Sequence, residues 1–202
     1  MPDFTLERAA GGVVAGIDEA GRGPWAGPVI AAAVILDAAH LPGSPLEGLD
    51  DSKALTKARR EVLFAALTGR ARIGIGAASA AEIDRYNILE ASLRAMARAV
   101  NALGLTPDLA LVDGNRSPEL PCAVRTVVKG DCLSLSIAAA SIAAKVTRDG
   151  IMARLAVRHP GFGWEHNAGY GTAEHKDALM RLGVTPHHRK SFAPVNKILS
   201  QS

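Results

Sequence analysis

The chain has 202 residues, 48% of them hydrophobic and only 4% aromatic, with a formal net charge of +3. That fits one α/β domain with a core of Ala, Val, Leu and Ile, sizeable enough to need no disulfide or metal staple. Cys122 and Cys132 lie ten apart with no CxxC spacing, which argues against a disulfide framework or zinc knuckle and for a reducing compartment.

No basic start followed by an apolar stretch opens the chain, so no signal peptide is expected. The longest apolar run, Val29–Leu36, is too short to span a bilayer. A soluble, cytoplasmic protein without a membrane partner is the expectation. Charge is uneven: residues 1–144 carry 14 Lys/Arg against 16 Asp/Glu, and residues 145–202 carry 9 against 4 with five of the six histidines. The basic tail suits a polyanion such as nucleic acid, and equally an ordinary basic surface.

Val13–Ile17 reads as a buried strand ended by the adjacent acids Asp18 and Glu19. A loop with Gly21, Gly23, Pro24, Gly27 and Pro28 follows, and Val29–Leu36 reads as a second strand, so a hairpin is predicted. Neighbouring strand residues point to opposite faces. A side-by-side acid pair is therefore wasteful for packing unless the strand breaks there and both acids meet a cation. Hard divalent ions take such oxygen ligands, and nearby glycines let a backbone approach a ligand and offer bare N–H groups. Alone, the pair is more often a solvated turn.

Residues 41–50 form a loop, and Thr56 caps a helix through Leu67 that stops at Gly69. Arg72–Ala78 alternates weakly as a third strand. Leu89, Leu93, Met96, Val100 and Leu103 line one helical face, ended by Gly104 and Pro107. Leu109–Val112 and Val124–Val128 are two further strands, each leading into an Asp-containing turn, Asp113-Gly114 and Gly130-Asp131. Residues 134–158 form a long Ala-rich helix broken by His159-Pro160-Gly161. A glycine-rich loop with Trp164 and Tyr170 precedes a helix near 173–182 and a basic tail. The pattern predicts a mixed five-stranded sheet flanked by helices, with 145–202 a basic helical part of a single domain spanning 1–202.

Asp18, Glu19, Asp113 and Asp131 all fall at or just beyond predicted strand ends. In one sheet they would meet at a common edge, where four ionised acids need a compensating charge. Two divalent ions about 3.5–4 Å apart would supply it, activating a water and stabilising the leaving oxygen of a phosphoryl displacement. Each acid alone reads as a turn residue.

The chain from about residue 13 to 196 resembles ribonuclease HII, the type 2 ribonuclease H. The carrying motifs are Gly16-Ile17-Asp18-Glu19-Ala20-Gly21-Arg22-Gly23-Pro24, Asp51-Ser52-Lys53, Val112-Asp113-Gly114-Asn115, Lys129-Gly130-Asp131, the run Ala138–Asp149, Gly169-Tyr170-Gly171-Thr172 with His175, and His188-Arg189-Lys190-Ser191-Phe192. The resemblance implies a ribonuclease H-like α/β fold with a C-terminal helical extension. It also implies a metal-dependent endonuclease that hydrolyses the RNA strand of RNA–DNA hybrids and incises 5′ of single ribonucleotides in duplex DNA, leaving 3′-hydroxyl and 5′-phosphate ends.

By the same resemblance, Asp18, Glu19, Asp113 and Asp131 hold Mg²⁺ or Mn²⁺ and carry catalysis. Gly21, Arg22 and Gly23 contact the ribose 2′-hydroxyl through their backbone. Tyr170 packs on a sugar at the RNA–DNA junction, and Lys53 contacts a substrate phosphate, where the bland reading is a solvated lysine. Lys145 and Arg148, at i and i+3 on one helix face, are spaced to grip successive phosphates or to form a solvated face. Trp164 braces the Tyr170 loop. Asn167-Ala168 departs from the Asn-Lys of many relatives, weakening one phosphate contact. His175 and His188 match family positions without an assigned role.

The sister ribonuclease HIII is disfavoured by Ala20 in the acidic motif and by only 17 residues preceding Asp18, where an extra N-terminal domain is usual. An inert hybrid-binding module sits badly with four retained acids. No GxxxxGK[ST] or GxSxG pattern supports a phosphate-loop protein or a serine hydrolase. No protein partner is evident, and a monomer is expected.

Overall fold

The computed structural model describes residues 1–37, 46, 48–49, 52 and 55–200. A short helix α1 (Thr5–Ala10) leads into β1 (Val14–Ala20) and β2 (Val29–Leu36), which pair antiparallel as the predicted hairpin. Helix α2 (Lys57–Thr68) follows, its N-cap Thr56 accepting the Arg59 N–H, and then β3 (Ala71–Ala78). Helix α3 (Ala80–Asn101) opens on a capping box of Ser79 and Glu82. It is kinked at Asn87, where φ is 67° and the side chain accepts the Glu90 N–H at 3.1 Å. The apolar periodicity therefore starts at Leu89, because a second helical segment starts there.

Strands β4 (Leu109–Asp113) and β5 (Ala123–Val127) and a 3₁₀ turn (Gly130–Cys132) lead to the 24-residue helix α4 (Leu135–Arg158). Helices α5 (Trp164–Asn167), α6 (Ala173–Leu182) and α7 (Ala193–Leu199) complete the chain. The first, the 3₁₀ turn, α1 and α7 are too short to show a hydrophobic period, and went unpredicted.

The strand order is β3-β2-β1-β4-β5, with β2 antiparallel to both neighbours and β1, β4 and β5 parallel, the expected mixed sheet. Both faces are covered. Ala15, Ile17, Val29, Ala31 and Ala33 pack on α3 through Ala91, Ala95 and Ala99. Ile30, Ala32 and Val34 pack on α4 through Ala139, Ala140, Ile142 and Ala143, with Leu63 and Leu67 of α2 closing that layer. A Cβ on Gly16 would overlap the Ser136 backbone, so its absence lets α4 cross β1 closely and run beside the strand end that bears the acids. Beyond the sheet, α4 continues into a third cluster of Met152, Leu155, Phe162, Trp164, Leu179 and Val195. Among the described residues no helix is long and apolar enough to cross a membrane.

Candidate active site

On its β2 side, β1 runs unbroken through both acids, with Asp18 opposite Ala32 and Glu19 opposite Ala31. On its β4 side, pairing ends at Ile17–Val112. The expected strand break thus exists on one side only: β1 outruns β4, and the acids stand where the parallel ladder opens. This is the carboxyl end of the parallel strands, where open α/β sheets take their ligands. Asp113 is the last residue of β4, and its Oδ1 accepts the Gly130 N–H at 2.7 Å. The buried Asp131 follows on the same 3₁₀ turn.

A cavity of about 320 Å³ opens here, lined by Asp18, Glu19 and Asp113, by Gly21, Arg22 and Gly23, and by Ser52, Arg60, Ser141, Lys145, Arg148 and Tyr170. Three of the four predicted acids line it. Asp131 does not, and sits one residue from the amide that Asp113 accepts. Among the described residues, no three Asp, Glu, His or Cys side chains stand close enough to form a ready metal cage.

Burial, then the neighbouring carboxylates of Glu19 and Asp113, hold the Asp18 carboxyl well above its ordinary range; bonds from Ser141 and the Glu19 amide only partly oppose this. Burial also raises Glu19, offset by Arg22 at 3.3 Å and reinforced by Asp113. Oxygen-only donors that disfavour one another's ionisation suit a hard divalent cation.

The glycine loop is shaped from behind. Gly21 has φ +97°, and a Cβ there would run into the Arg148 guanidinium. The fully buried Arg189 donates from Nη2 to Gly21 O at 2.5 Å, from Nη1 to Arg22 O at 2.8 Å and from Nε to Gly27 O at 3.0 Å. In a trans peptide the C=O and the following N–H point opposite ways. With both carbonyls drawn toward Arg189, the Arg22 and Gly23 N–H groups turn away from it, on a loop that lines the cavity. Tyr170, 48% exposed, stands across from them, its ring 3.5 Å from where a Cβ on Gly23 would lie.

The remaining predicted contacts divide. Lys145 lines the cavity and pairs with Asp149 at 2.7 Å. Arg148 departs from the expected phosphate grip. It is 1% exposed and donates to Pro28 O, Ala168 O and Ala26 O, so its guanidinium is committed to backbone. Lys53 lies outside the described residues. Trp164 packs beneath the Tyr170 loop as expected, donating its indole N–H to His175 Nε2 at 3.1 Å.

Three contributors went unpredicted. Ser141 bonds the Asp18 carboxyl and shares a hydroxyl contact with Ser52 at 2.8 Å. Arg60 lines the cavity and donates to Ser52 O and Leu55 O. Arg189 shapes the glycine loop. Ser141 and Arg189 lie within motifs that stood out, but nothing in their spacing showed which backbone or side-chain atoms they reach.

His188 is 1% exposed, and burial, with His175 beside it, pushes it down to about 3. Between pH 6.5 and 3 the unfolded chain therefore binds a proton there that the folded chain refuses, so stability falls as pH falls through that window. Melting temperature measured from pH 7 to pH 4 should drop, and the drop should be shallower in His188→Phe, which has nothing to protonate there.

A family model described as Ribonuclease HII matches residues 15–195. Among curated relatives, Ribonuclease HII of Paramagnetospirillum magneticum is 65% identical over 195 residues, covering 96% of this chain and 97% of that one. Among solved structures, the ribonuclease H2 from Pyrococcus horikoshii OT3 superposes with a TM-score of 0.77 at 29% identity, over 94% of this chain and 98% of that one. The fold is shared at 19% identity by Bst-RNase HIII solved in complex with Mn²⁺, with a TM-score of 0.76 over 100% of this chain and 74% of that one.

Proposed function

Because the chain belongs to the ribonuclease HII family of ribonuclease H endonucleases, which act on RNA–DNA hybrids, we propose that it also incises 5′ of single ribonucleotides embedded in duplex DNA, leaving 3′-hydroxyl and 5′-phosphate ends. The observation that carries this reading is one cavity lined by three carboxylates, a glycine loop with outward amides, and Tyr170.

In this reading Asp18, Glu19 and Asp113, with Asp131 from the adjoining turn, hold Mg²⁺ or Mn²⁺. The mutual repulsion of the first three supports that assignment, as does the Mn²⁺ of the ribonuclease HIII neighbour. When bound, such ions supply charge neutralisation and Lewis-acid activation of water at a phosphodiester. The protein's own part is positioning. The Arg22 and Gly23 amides face the ribose 2′-hydroxyl, the one group that separates RNA from DNA. Tyr170 lies against the sugar beyond it, and Lys145 offers its ammonium to a backbone phosphate once Asp149 releases it.

A DNA duplex with one ribonucleotide should be nicked on its 5′ side with Mg²⁺ or Mn²⁺ and left intact in EDTA. Tyr170→Ala should lower kcat/KM on that substrate by about tenfold, and by only about two- to threefold within long RNA tracts, the cost of one lost stacking platform. Failure of the wild type to nick the duplex sinks the single-ribonucleotide reading, and equal losses on both substrates remove the junction role of Tyr170.

A further inference from the structure

The geometry points to the segment Thr185–Arg189 as a strut that fixes Tyr170 relative to the Gly21–Gly23 loop, with His188 and His175 as positioning residues for the choice of a lone ribonucleotide. This rests on the reading of Tyr170 and of the glycine loop given above.

The two histidines form a chain of hydrogen bonds whose direction is set by donors with no alternative. His188 Nδ1 accepts the Thr185 backbone N–H at 3.0 Å, so the His188 proton sits on Nε2. His188 Nε2 lies 3.0 Å from His175 Nε2 and donates to it. The Trp164 indole, which can only donate, lies 3.1 Å from the same His175 nitrogen, and the two donors share its one lone pair. The His175 proton is therefore on Nδ1, which donates to Tyr170 O at 2.9 Å. Tyr170 N–H donates to Asn167 O at 2.8 Å, so the peptide groups on both sides of that residue are held.

The next residue along the strut holds the opposite wall. Arg189 binds Gly21 O and Arg22 O through its guanidinium, and its own N–H donates to Trp25 O at 2.8 Å. The Gly27 N–H donates to His187 O at 2.9 Å, and Ala26 and His188 form an antiparallel bridge. Consecutive side chains thus reach the carbonyls behind the amides assigned to the 2′-hydroxyl and, through His175, the carbonyl of the residue assigned to the junction. A buried histidine pair serving packing alone has no need to end on that carbonyl. Arg148 backs the same span by donating to both Ala26 O and Ala168 O.

The test compares H188F, H188Q, Y170A and the double variant H188F/Y170A on a duplex with one ribonucleotide and on a uniform RNA–DNA hybrid. H188F fills the ring volume but breaks the chain of bonds. It should lower kcat/KM on the lone ribonucleotide by up to about the tenfold of Y170A and on the hybrid by less than about threefold, since small misplacements are costly only where the displaced group is used. H188Q carries an amide N–H where Nε2–H stood and should recover most of the loss. The double variant should lose no more than Y170A alone, because both changes act on one ring.

Equal losses on the two substrates, no recovery in H188Q, or multiplied losses in the double variant would each overturn the proposal. Should H188F fail to fold, H188N, which keeps the Thr185 contact and cannot reach His175, carries the same expectation. Y170A separates the two levels. If Y170A shows no selective loss, the reading of Tyr170 fails and takes the strut with it. If Y170A is selective and H188F is not, the strut alone fails.

Discussion

Asp113→Asn is expected to fold, to bind a hybrid duplex with near wild-type affinity and to cut it slower by about 10²-fold or more, the scale of losing one charge-stabilising group. The asparagine Oδ1 can still accept the Gly130 N–H that Asp113 Oδ1 accepts at 2.7 Å, so the β4 end keeps its anchor. What is lost is one negative charge facing Asp18 and Glu19, both of whose carboxyls are pushed upward partly by Asp113. Relieving that repulsion should leave the metal-free melting temperature equal to or above the wild type's. In the wild type, Mg²⁺ or Mn²⁺ at about 100 times its dissociation constant should add roughly 2.7 kcal/mol, and the gain should shrink in the variant. Single-turnover cleavage with melting curves at several metal concentrations decides the matter. Turnover within tenfold of wild type, or an undiminished metal shift, overturns the assignment of Asp113.

Gly21→Ala is expected to lower kcat/KM on both substrates by about 10²-fold, a loss typical of an ångström-scale displacement at a reacting centre. The position has φ +97°, which for alanine costs about 1–2 kcal/mol. The added Cβ also meets the Arg148 guanidinium, which three backbone carbonyls hold in place. Either the loop moves outward or the guanidinium abandons its carbonyls, and both disturb the amides of Arg22 and Gly23. Arg22→Ala is the control, because that side chain is 52% exposed and, among the described residues, pairs with Glu19 at 3.3 Å. Its effect should stay within a few-fold. A Gly21→Ala enzyme as active as Arg22→Ala would show that the loop's backbone is not read by substrate.

Sequence legibility follows periodicity. All five strands and helices α2, α4 and α6 were readable because each carries an apolar run, a cap or a glycine stop that acts locally. The first turns of α3 escaped because Asn87 interrupts the period, although Ser79 and Glu82 spell a capping box that marks the true start. At the site, the acids were legible as strand-end residues. Their meeting at a common edge follows once the strands share one sheet, but the way they stand there, with β1 outrunning β4, is a fact of register that no single strand contains. The i,i+3 spacing of Lys145 and Arg148 suggests a phosphate grip or a solvated face, and Arg148 is neither. Spacing shows which residues share a helix face, and here the neighbouring loops fold over part of that face and bury the guanidinium. Arg189 acts on backbone carbonyls far along the chain, and the two histidines meet across a helix and a turn, so the partner of each leaves no trace in the residues around it.

Among the described residues, two buried arginines, Arg148 and Arg189, direct every guanidinium hydrogen bond to a backbone carbonyl. Burial lowers Arg148 to about 10 and Arg189 to about 9, so both stay charged near neutrality, and Asp149 and Asp84 respectively act on them through space. A buried charge is weakly screened, and Arg148 joins Arg22, Arg60 and Lys145 in lining the cavity that also holds Asp18, Glu19 and Asp113. Once a divalent cation neutralises those acids, the four basic groups would draw a polyanion inward before any contact forms, which raises the encounter rate and makes it steeply salt-dependent. Groups whose visible work is to hold a loop would also set how quickly a duplex finds it.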